Sequence, residues 1–268
     1  MIRDARGRAF DFARPPERVV SLVPSLTETL FDLGAGEAVA GVTDFCIFPP
    51  DISVPRVGGT KNPDVGAIRE LKPDLVHMNL EENQRRHADA IEEFAPVFVS
   101  EPKSVDDVVS LIALLGGIHG RAERASELVD ALVRERASAR GEPFTFACAI
   151  WKNPWMWCGT DTYVASLIGE AGGRNVVSGT RYPSIDLAAI QADVIFLPDE
   201  PFLFTEADAR GVAETCGAAL SSPPQSAVRL RTPTLHPRVV GPFPGHLFTW
   251  HGSRTIQGLR FLSGLRAE

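Results

Sequence analysis

Between residues 121 and 139 the apolar positions fall at Ala122, Ala125, Leu128, Val129, Leu132, Val133 and Ala139, with Arg, Glu and Asp between them. This spacing of three and four predicts an amphipathic helix. At about 1.5 Å per residue it is roughly 28 Å long. On either side the period changes repeatedly between two and about 3.6, so short strands alternate with helices, as in a mostly parallel α/β sheet. The expected architecture is α/β: an N-terminal α/β lobe over 1–118, a backbone helix over 119–140 and a C-terminal α/β lobe over 141–268, with a ligand cleft between the lobes.

Ahead of the long helix, residues 4–12 with Gly7 predict a hairpin, and 18–23 an apolar strand. Ser25 and Glu28 have the spacing of a capping box for a helix that stops at Gly34. Strands are expected at 38–42, 74–79 and 96–100. Helices are expected from Asn62-Pro63, with Pro63 in its first turn, at 81–94 and at 104–115, the last broken by Gly116-Gly117. Beyond the long helix the pattern predicts strands at 145–150, 175–177, 193–197 and 238–241. It predicts helices from Thr160-Asp161, at 185–191, at 205–216 and at 253–265, with an irregular Pro-rich stretch after Cys216.

Three local matches recur in the same order in both halves. Ser25 precedes Gly34 by nine residues, as Thr160 precedes Gly169. Asn62-Pro63 parallels Tyr182-Pro183. Leu71-Lys-Pro-Asp74 parallels Ile190-Gln-Ala-Asp193, and Glu81 and Glu200 each lie seven residues beyond those aspartates. Two lobes of related topology account for this better than a solenoid, whose period is far shorter.

Composition narrows the partners. The net charge of −7 disfavours nucleic acid and anionic membrane surfaces, which reward basic patches. No apolar run reaches the length of about 20 residues that spans a bilayer. The first eight residues carry no apolar h-region, which predicts either a cytoplasmic protein or an extracytoplasmic one whose leader has been removed. The four cysteines show neither a C-x-x-C nor a disulfide framework, and Cys148 in its apolar run reads as a small buried hydrophobe. A monomer is expected.

Ligands of open α/β sheets bind beyond the carboxyl ends of the strands. The loops there place aromatic and amide residues beside acids. Trp151, Trp155 and Trp157 share one loop and Trp250 lies in another; Trp157 and Trp250 are the favoured faces for a large flat ligand, the alternative being packing against their own lobe. No G-x-S-x-G, phosphate loop or H-E-x-x-H occurs, so no catalytic residue is assigned. His246 and His251 lack metal-pair spacing, and Cys46 is either a soft ligand or a packed thiol; no resident metal ion is expected. Glu81, Glu82 and Glu200 read as rim carboxylates.

Several segments together resemble a known family: Arg18-Val-Val-Ser-Leu-Val-Pro-Ser-Leu-Thr-Glu28, Gly41-Val-Thr43, Val57-Gly-Gly59, Ile68-Arg-Glu-Leu-Lys-Pro-Asp-Leu-Val76 and Gly252-Ser-Arg254. They are similar to the substrate-binding proteins of vitamin B12 and ferric-siderophore ABC importers, the helical-backbone metal receptors. Gly58-Gly-Thr-Lys-Asn62, Glu81-Glu-Asn83 and Trp250-His-Gly-Ser-Arg254 resemble its cobalamin-binding subgroup, often found without a leader. The resemblance implies two α/β lobes, one connecting helix, small hinge motion and a metal-chelate ligand between the lobes. Positions matching the family's corrin contacts are Phe45, Thr60, Asn79, Met156 and Tyr182. Thr60 and Asn79 stand where such relatives tend to carry tryptophan, which shifts the expected stacking surface to Trp157 and Trp250. Gly66 and Ala188 stand where importer-linked relatives carry the glutamates that dock on the permease. Their loss removes electrostatic steering, with Asp64, Glu70 and Asp186 as imperfect substitutes.

The expected ligand is therefore a corrinoid, cobalamin or cobinamide, held by Phe45, Cys46, Thr60, Lys61, Asn62, Asn79, Glu81, Glu82, Met156, Trp157, Tyr182, Glu200, Phe202, Trp250, His251 and Arg254. A corrin is large, partly apolar and fringed with neutral amides, which suits aromatic faces beside Asn and Glu. Heme or a ferric siderophore is the alternative. Both bring negative charge and favour a basic site; Lys61, Arg181 and Arg254 would serve them, against the three glutamates. A third reading is a cytoplasmic metallocofactor-handling protein or enzyme on the same scaffold.

Overall fold

The structure is a computed structural model that describes residues 2–221 and 237–265. Most of the expected Pro-rich stretch after Cys216 lies outside the described residues. The chain divides into two compact units. The first comprises Met1–Pro102, Asp106–Asp130 and His251–Ser253, and the second Lys103–Val105, Ala131–Trp250 and Arg254–Glu268.

In the first unit the hairpin forms as expected, β1 (Ile2–Arg3) pairing antiparallel with β2 (Ala9–Phe10). Strands β3 (Val19–Ser21), β4 (Val39–Val42), β5 (Leu75–Asn79) and β6 (Val97–Ser100) build an all-parallel sheet in the order β4-β3-β5-β6. Val20, Leu22, Val76, Val97 and Val99 are buried with Ile68 and Ile91 of the flanking helices. Burying each contributes about 1.5–3 kcal/mol. The strand order reverses between β3 and β5, which makes their carboxyl ends the switch point of this sheet.

Several helix starts differ from expectation, among them those of α1, α2 and α3. Helix α1 (Pro24–Asp32) begins at Pro24, with Val23 as an N-cap lacking a side-chain hydrogen bond. Proline needs no N–H partner and is preset for the first turn, so Ser25 is already inside the helix and the capping box with Glu28 does not form. Helix α2 (Val65–Glu70) is capped by Asp64, whose carboxylate accepts the Ala67 N–H at 3.0 Å; Pro63 precedes the cap. Helix α3 (Arg85–Ile91) is shorter than expected because residues 80–83 turn back on Asn79.

Helix α4 (Val105–Ile118) runs straight through the glycine pair expected to break it. A β-carbon at Gly116 would sit 2.3 Å from that of Ala125 in helix α5 (Ala122–Ala139). The close contact of the two helices offsets the propensity cost of about 1 kcal/mol. Helix α5 follows its predicted span, with Ala125, Leu128, Leu132 and Ala139 buried and Val133 exposed. It starts in the first unit and ends in the second, the boundary falling after Asp130.

The second unit has strands β7 (Phe144–Trp151), β8 (Met156–Trp157), β9 (Gly173–Asn175), β10 (Val194–Pro198), β11 (Ala219–Ser221) and β12 (Arg238–Phe243). The parallel order is β11-β12-β10-β7, with β9 parallel to the start of β7 and β8 antiparallel to its end. Counting only the parallel strands in chain order, the first unit reads 2-1-3-4 and the second 2-1-3-5-4, so the two share the arrangement of their first three parallel strands. The helices are α6 (Tyr163–Glu170), α7 (Glu206–Cys216), α8 (His246–Thr249) and α9 (Thr255–Gly264). The expected helix at 185–191 is only a 3-10 turn, Leu187–Ala189, capped by Asp186. Among the described residues no helix is long and apolar enough to cross a membrane.

Candidate functional site

At the carboxyl end of the first sheet one side chain ties three loops together. The Asn83 amide donates to the carbonyls of Leu22 at 3.1 Å and Thr60 at 2.9 Å, and its oxygen accepts the Asn79 N–H at 2.8 Å. Asn79 extends the framework: its oxygen accepts the N–H groups of Glu81 and Glu82 at 2.8 and 3.2 Å, and its amide donates to Ser100 Oγ at 3.3 Å. Thr60 and Asn79 are thus buried supports. Lys61 donates to the Glu81 carbonyl. Glu82 has its pKa raised, burial being the larger cause and Glu81 adding to it, while Lys61 opposes. Asn62 is exposed on the same turn.

Cys46 is fully buried, its thiol 3.1 Å from the hydroxyls of both Thr27 and Thr43. It packs the core beside β4 and offers nothing to a ligand, which corrects the ligand-contact expectation. Arg56 fixes its loop by donating to the Thr43 and Cys46 carbonyls at 2.8 and 2.7 Å. With Cys46 turned in, its neighbours turn out: Phe45 is 59 % exposed and Ile47 52 %. Leu80, just past β5, is 44 % exposed.

His251 belongs to this first unit. Its Nε2 lies 3.4 Å from Ser25 Oγ, and burial lowers its pKa to about 4, so the ring is neutral near pH 7. The Ser253 N–H donates to Thr29 Oγ1 at 3.1 Å. Gly252, at φ 92°, passes so close to Thr29 that a β-carbon would lie 2.2 Å from its hydroxyl. His251 is a buried tie of this segment to α1 rather than an open ligand contact. A cavity of about 580 Å³ borders the framework of Asn79 and Asn83, lined by these two and Leu80 with Arg85 and with Arg6 and Arg8 of the hairpin. Its hairpin arginines are already paired with Glu92.

The tryptophan loop of the second unit is an aromatic ladder. Trp157 stacks on Trp155 with centroids 5.7 Å apart, Trp155 on Phe204 at 5.8 Å, Phe204 meets Phe202 at 4.8 Å, and Phe202 meets Trp151 edge-on at 5.2 Å. The ladder runs from core to surface. Trp157 is fully buried, with its indole N–H on the Ile185 carbonyl at 2.9 Å, so it is a core residue and not the stacking face the sequence favoured. Trp151 is 43 % exposed and Leu203 72 %. Trp151 is the last residue of β7 and Leu203 lies in the loop after β10, at the switch point of this sheet.

Trp250 is also buried, its indole N–H donating to Glu200 Oε2 at 3.2 Å, with Thr249 on the same oxygen at 3.4 Å. The Arg254 guanidinium lies 5.9 Å from the Trp250 ring and donates to Gln257 at 2.5 Å. The structure therefore gathers Glu200, Trp250 and Arg254 into one cluster with the indole edge engaged. Met156 and Tyr182 are half-buried, Tyr182 under the Arg181 guanidinium at 5.6 Å, and Phe202 is a half-buried rung of the ladder. Ile47, Leu80 and Leu203 were missed from the sequence; Ile47 stands between Cys46 and Phe48, Leu80 between Asn79 and Glu81, and Leu203 between Phe202 and Phe204, and nothing in those local patterns marks the one side chain that is left exposed. Gly66 and Ala188 are exposed, and beside them Asp64 and Asp186 each cap a helical turn.

A family model described as periplasmic binding protein matches residues 19–200. Among curated relatives, a cobalamin-binding protein of Halobacterium salinarum is 27% identical over 257 residues, covering 91% of this chain and 68% of its own length. An ABC transporter substrate-binding lipoprotein of Bacillus subtilis is 26% identical over 191 residues, covering 66% and 60%. A vitamin B12-binding protein of Yersinia pestis is 26% identical over 179 residues, covering 64% of each. The chain thus spans about two thirds of the length of the curated relatives it matches. The periplasmic vitamin B12 binding protein of Vibrio cholerae has a similar fold, with TM-score 0.72 at 18% identity over 93% of this chain and 96% of its own. So does a periplasmic heme-binding protein of Roseiflexus, with TM-score 0.71 at 23% identity over 92% and 96%.

Proposed function

We propose that this chain, which belongs to the periplasmic binding protein family, binds a corrinoid and delivers it to an ABC importer permease. The observation that carries the reading is the position of the exposed apolar side chains. Among the described residues, five of the seven exposed large apolar side chains lie at the carboxyl ends of parallel strands: Phe45, Ile47 and Leu80 follow β4 and β5 in the first unit, and in the second Trp151 ends β7 and Leu203 follows β10. Large apolar groups left open at that end of a sheet serve a ligand. The candidate stacking faces are accordingly Phe45 in the first unit and Trp151 in the second, in place of Trp157 and Trp250.

The polar setting supports a neutral amide-fringed ligand over a dianionic one. Asn79 and Asn83 organise the first unit's loops, while Lys61 is turned to a backbone carbonyl and Arg254 to Gln257. Glu82 and Glu200 add carboxyl oxygens that can accept from the N–H groups of an amide fringe. The names of the cobalamin- and vitamin B12-binding relatives support the same choice. The family's description and the lipoprotein relative support a place of action outside the cytoplasm over the cytoplasmic expectation. Family and fold are those of substrate-binding proteins rather than enzymes.

Titration with cyanocobalamin, cobinamide and hemin, followed in the visible bands and in tryptophan fluorescence, tests the reading. Saturable binding of a corrinoid with hemin at least tenfold weaker is expected. Hemin binding as tight as, or tighter than, both corrinoids overturns it.

A further inference from the structure

Two of the four cysteines face one another in the second unit. The antiparallel register sets Ala149 against Trp157; carried one residue further, it brings Cys148 opposite Cys158, both of them free thiols in this structure. The Cys158 N–H donates to the Cys148 carbonyl at 2.9 Å, so the backbones are held together at this point. Directly opposed residues of this kind have Cα atoms about 5.5 Å apart. That lies inside the range of about 4.4–6.8 Å that a disulfide spans. Opposed residues of an antiparallel pair also project to the same face. Both cysteines are fully buried. By contrast Cys46 lies among threonine hydroxyls in the other unit and Cys216 ends α7.

We propose that Cys148 and Cys158 form a cross-strand disulfide, made while the chain folds, that fastens β8 to β7. The ribbon it closes carries Trp151, Trp155 and Trp157, so the bond holds the base of the aromatic ladder. The step is thiol–disulfide exchange with a small-molecule disulfide. One cysteine thiolate attacks a donor sulfur and releases a donor thiol, and the other thiolate displaces the second donor sulfur from the mixed disulfide. The two cysteines lose two electrons and two protons, and the donor is reduced to two thiols. Once the sheet has closed, burial and the Cys158 neighbour push the Cys148 thiol up, so the reduced native pair is inert. An extracytoplasmic place of action supplies the oxidising conditions. The pairing itself rests on the register of β7 and β8, whatever ligand the protein binds.

The test is refolding of the full chain in oxidised and reduced glutathione, then alkylation in denaturant and mass spectrometry. The expected product carries two alkyl groups, on Cys46 and Cys216. Trypsin cuts after Lys152, so residues 141–152 and 153–174 are expected as one joined peptide that separates on reduction. Cys46→Ser keeps that joined peptide, and Cys158→Ser loses it. Four alkylated cysteines after oxidative refolding, or a joined peptide containing Cys46 or Cys216, overturns the assignment.

Discussion

Trp151 at the end of β7 and Trp157 in β8 sit six residues apart in one ribbon and have opposite fates. Trp157 is a sealed core indole bonded to Ile185, whereas Trp151 ends the ladder in solvent. Trp151→Ala is therefore expected to weaken corrinoid binding by about 1 kcal/mol or more with little change in Tm. Trp157→Ala is expected to cost about 3–5 kcal/mol of stability, read as a fall in the urea midpoint. Equal losses of affinity in the two variants, without a stability difference, would contradict this division. Asn83→Ala removes an amide that holds three carbonyl or N–H partners. It is expected to cost about 1–3 kcal/mol and to loosen the loops carrying Lys61 and Glu81, detectable as lower Tm and faster amide exchange at Asn79.

Elements were more legible than their ends. Periodicity alone located α5 and every central strand, because a buried face imposes its period on the sequence. It missed the starts of α1 and α2, where proline changes which residue can cap, and the continuation of α4 through Gly116. That last point is decided by Ala125, a neighbour from another helix. Gly116→Val, which the propensity scale favours, is expected to destabilise by about 1–3 kcal/mol because its side chain has no room. At α7 a capping box does form, between Thr205 and Asp208. Thr205→Ala is expected to lower stability by about 1 kcal/mol.

At the scale of the whole molecule, buried histidines set the acid limit. His77 and His119 share a short contact, Nε2 to Nε2 at 2.9 Å. Burial holds His77 well below its usual pKa, with His119 adding. Burial brings His119 to about 4, Arg121 adding and Asp74 opposing. His251 also lies at about 4. Folded pKa values below the unfolded value of roughly 6.5 mean that the unfolded chain binds more protons between pH 6.5 and 4. Stability is thus fully present above about 6.5 and is lost as pH falls through that window. The slope is up to about 1.4 kcal/mol per pH unit for each histidine. Urea unfolding at pH 7, 6 and 5 is expected to show this decline, and His119→Gln to make it shallower. A flat profile over that range would refute the argument.

Local chemistry written into the sequence determined the α/β alternation, the long helix, the internal repeat and the loops that end the strands, since period, proline and glycine act within a few residues. Which side chains in those loops point outward was decided by tertiary structure. Phe45 is exposed because Cys46 is drawn between Thr27 and Thr43, and Trp157 is buried because Trp155 and Phe204 stack over the core beside it. Such choices depend on partners many residues away, and one residue's turn in a loop exchanges a ligand face for a core contact.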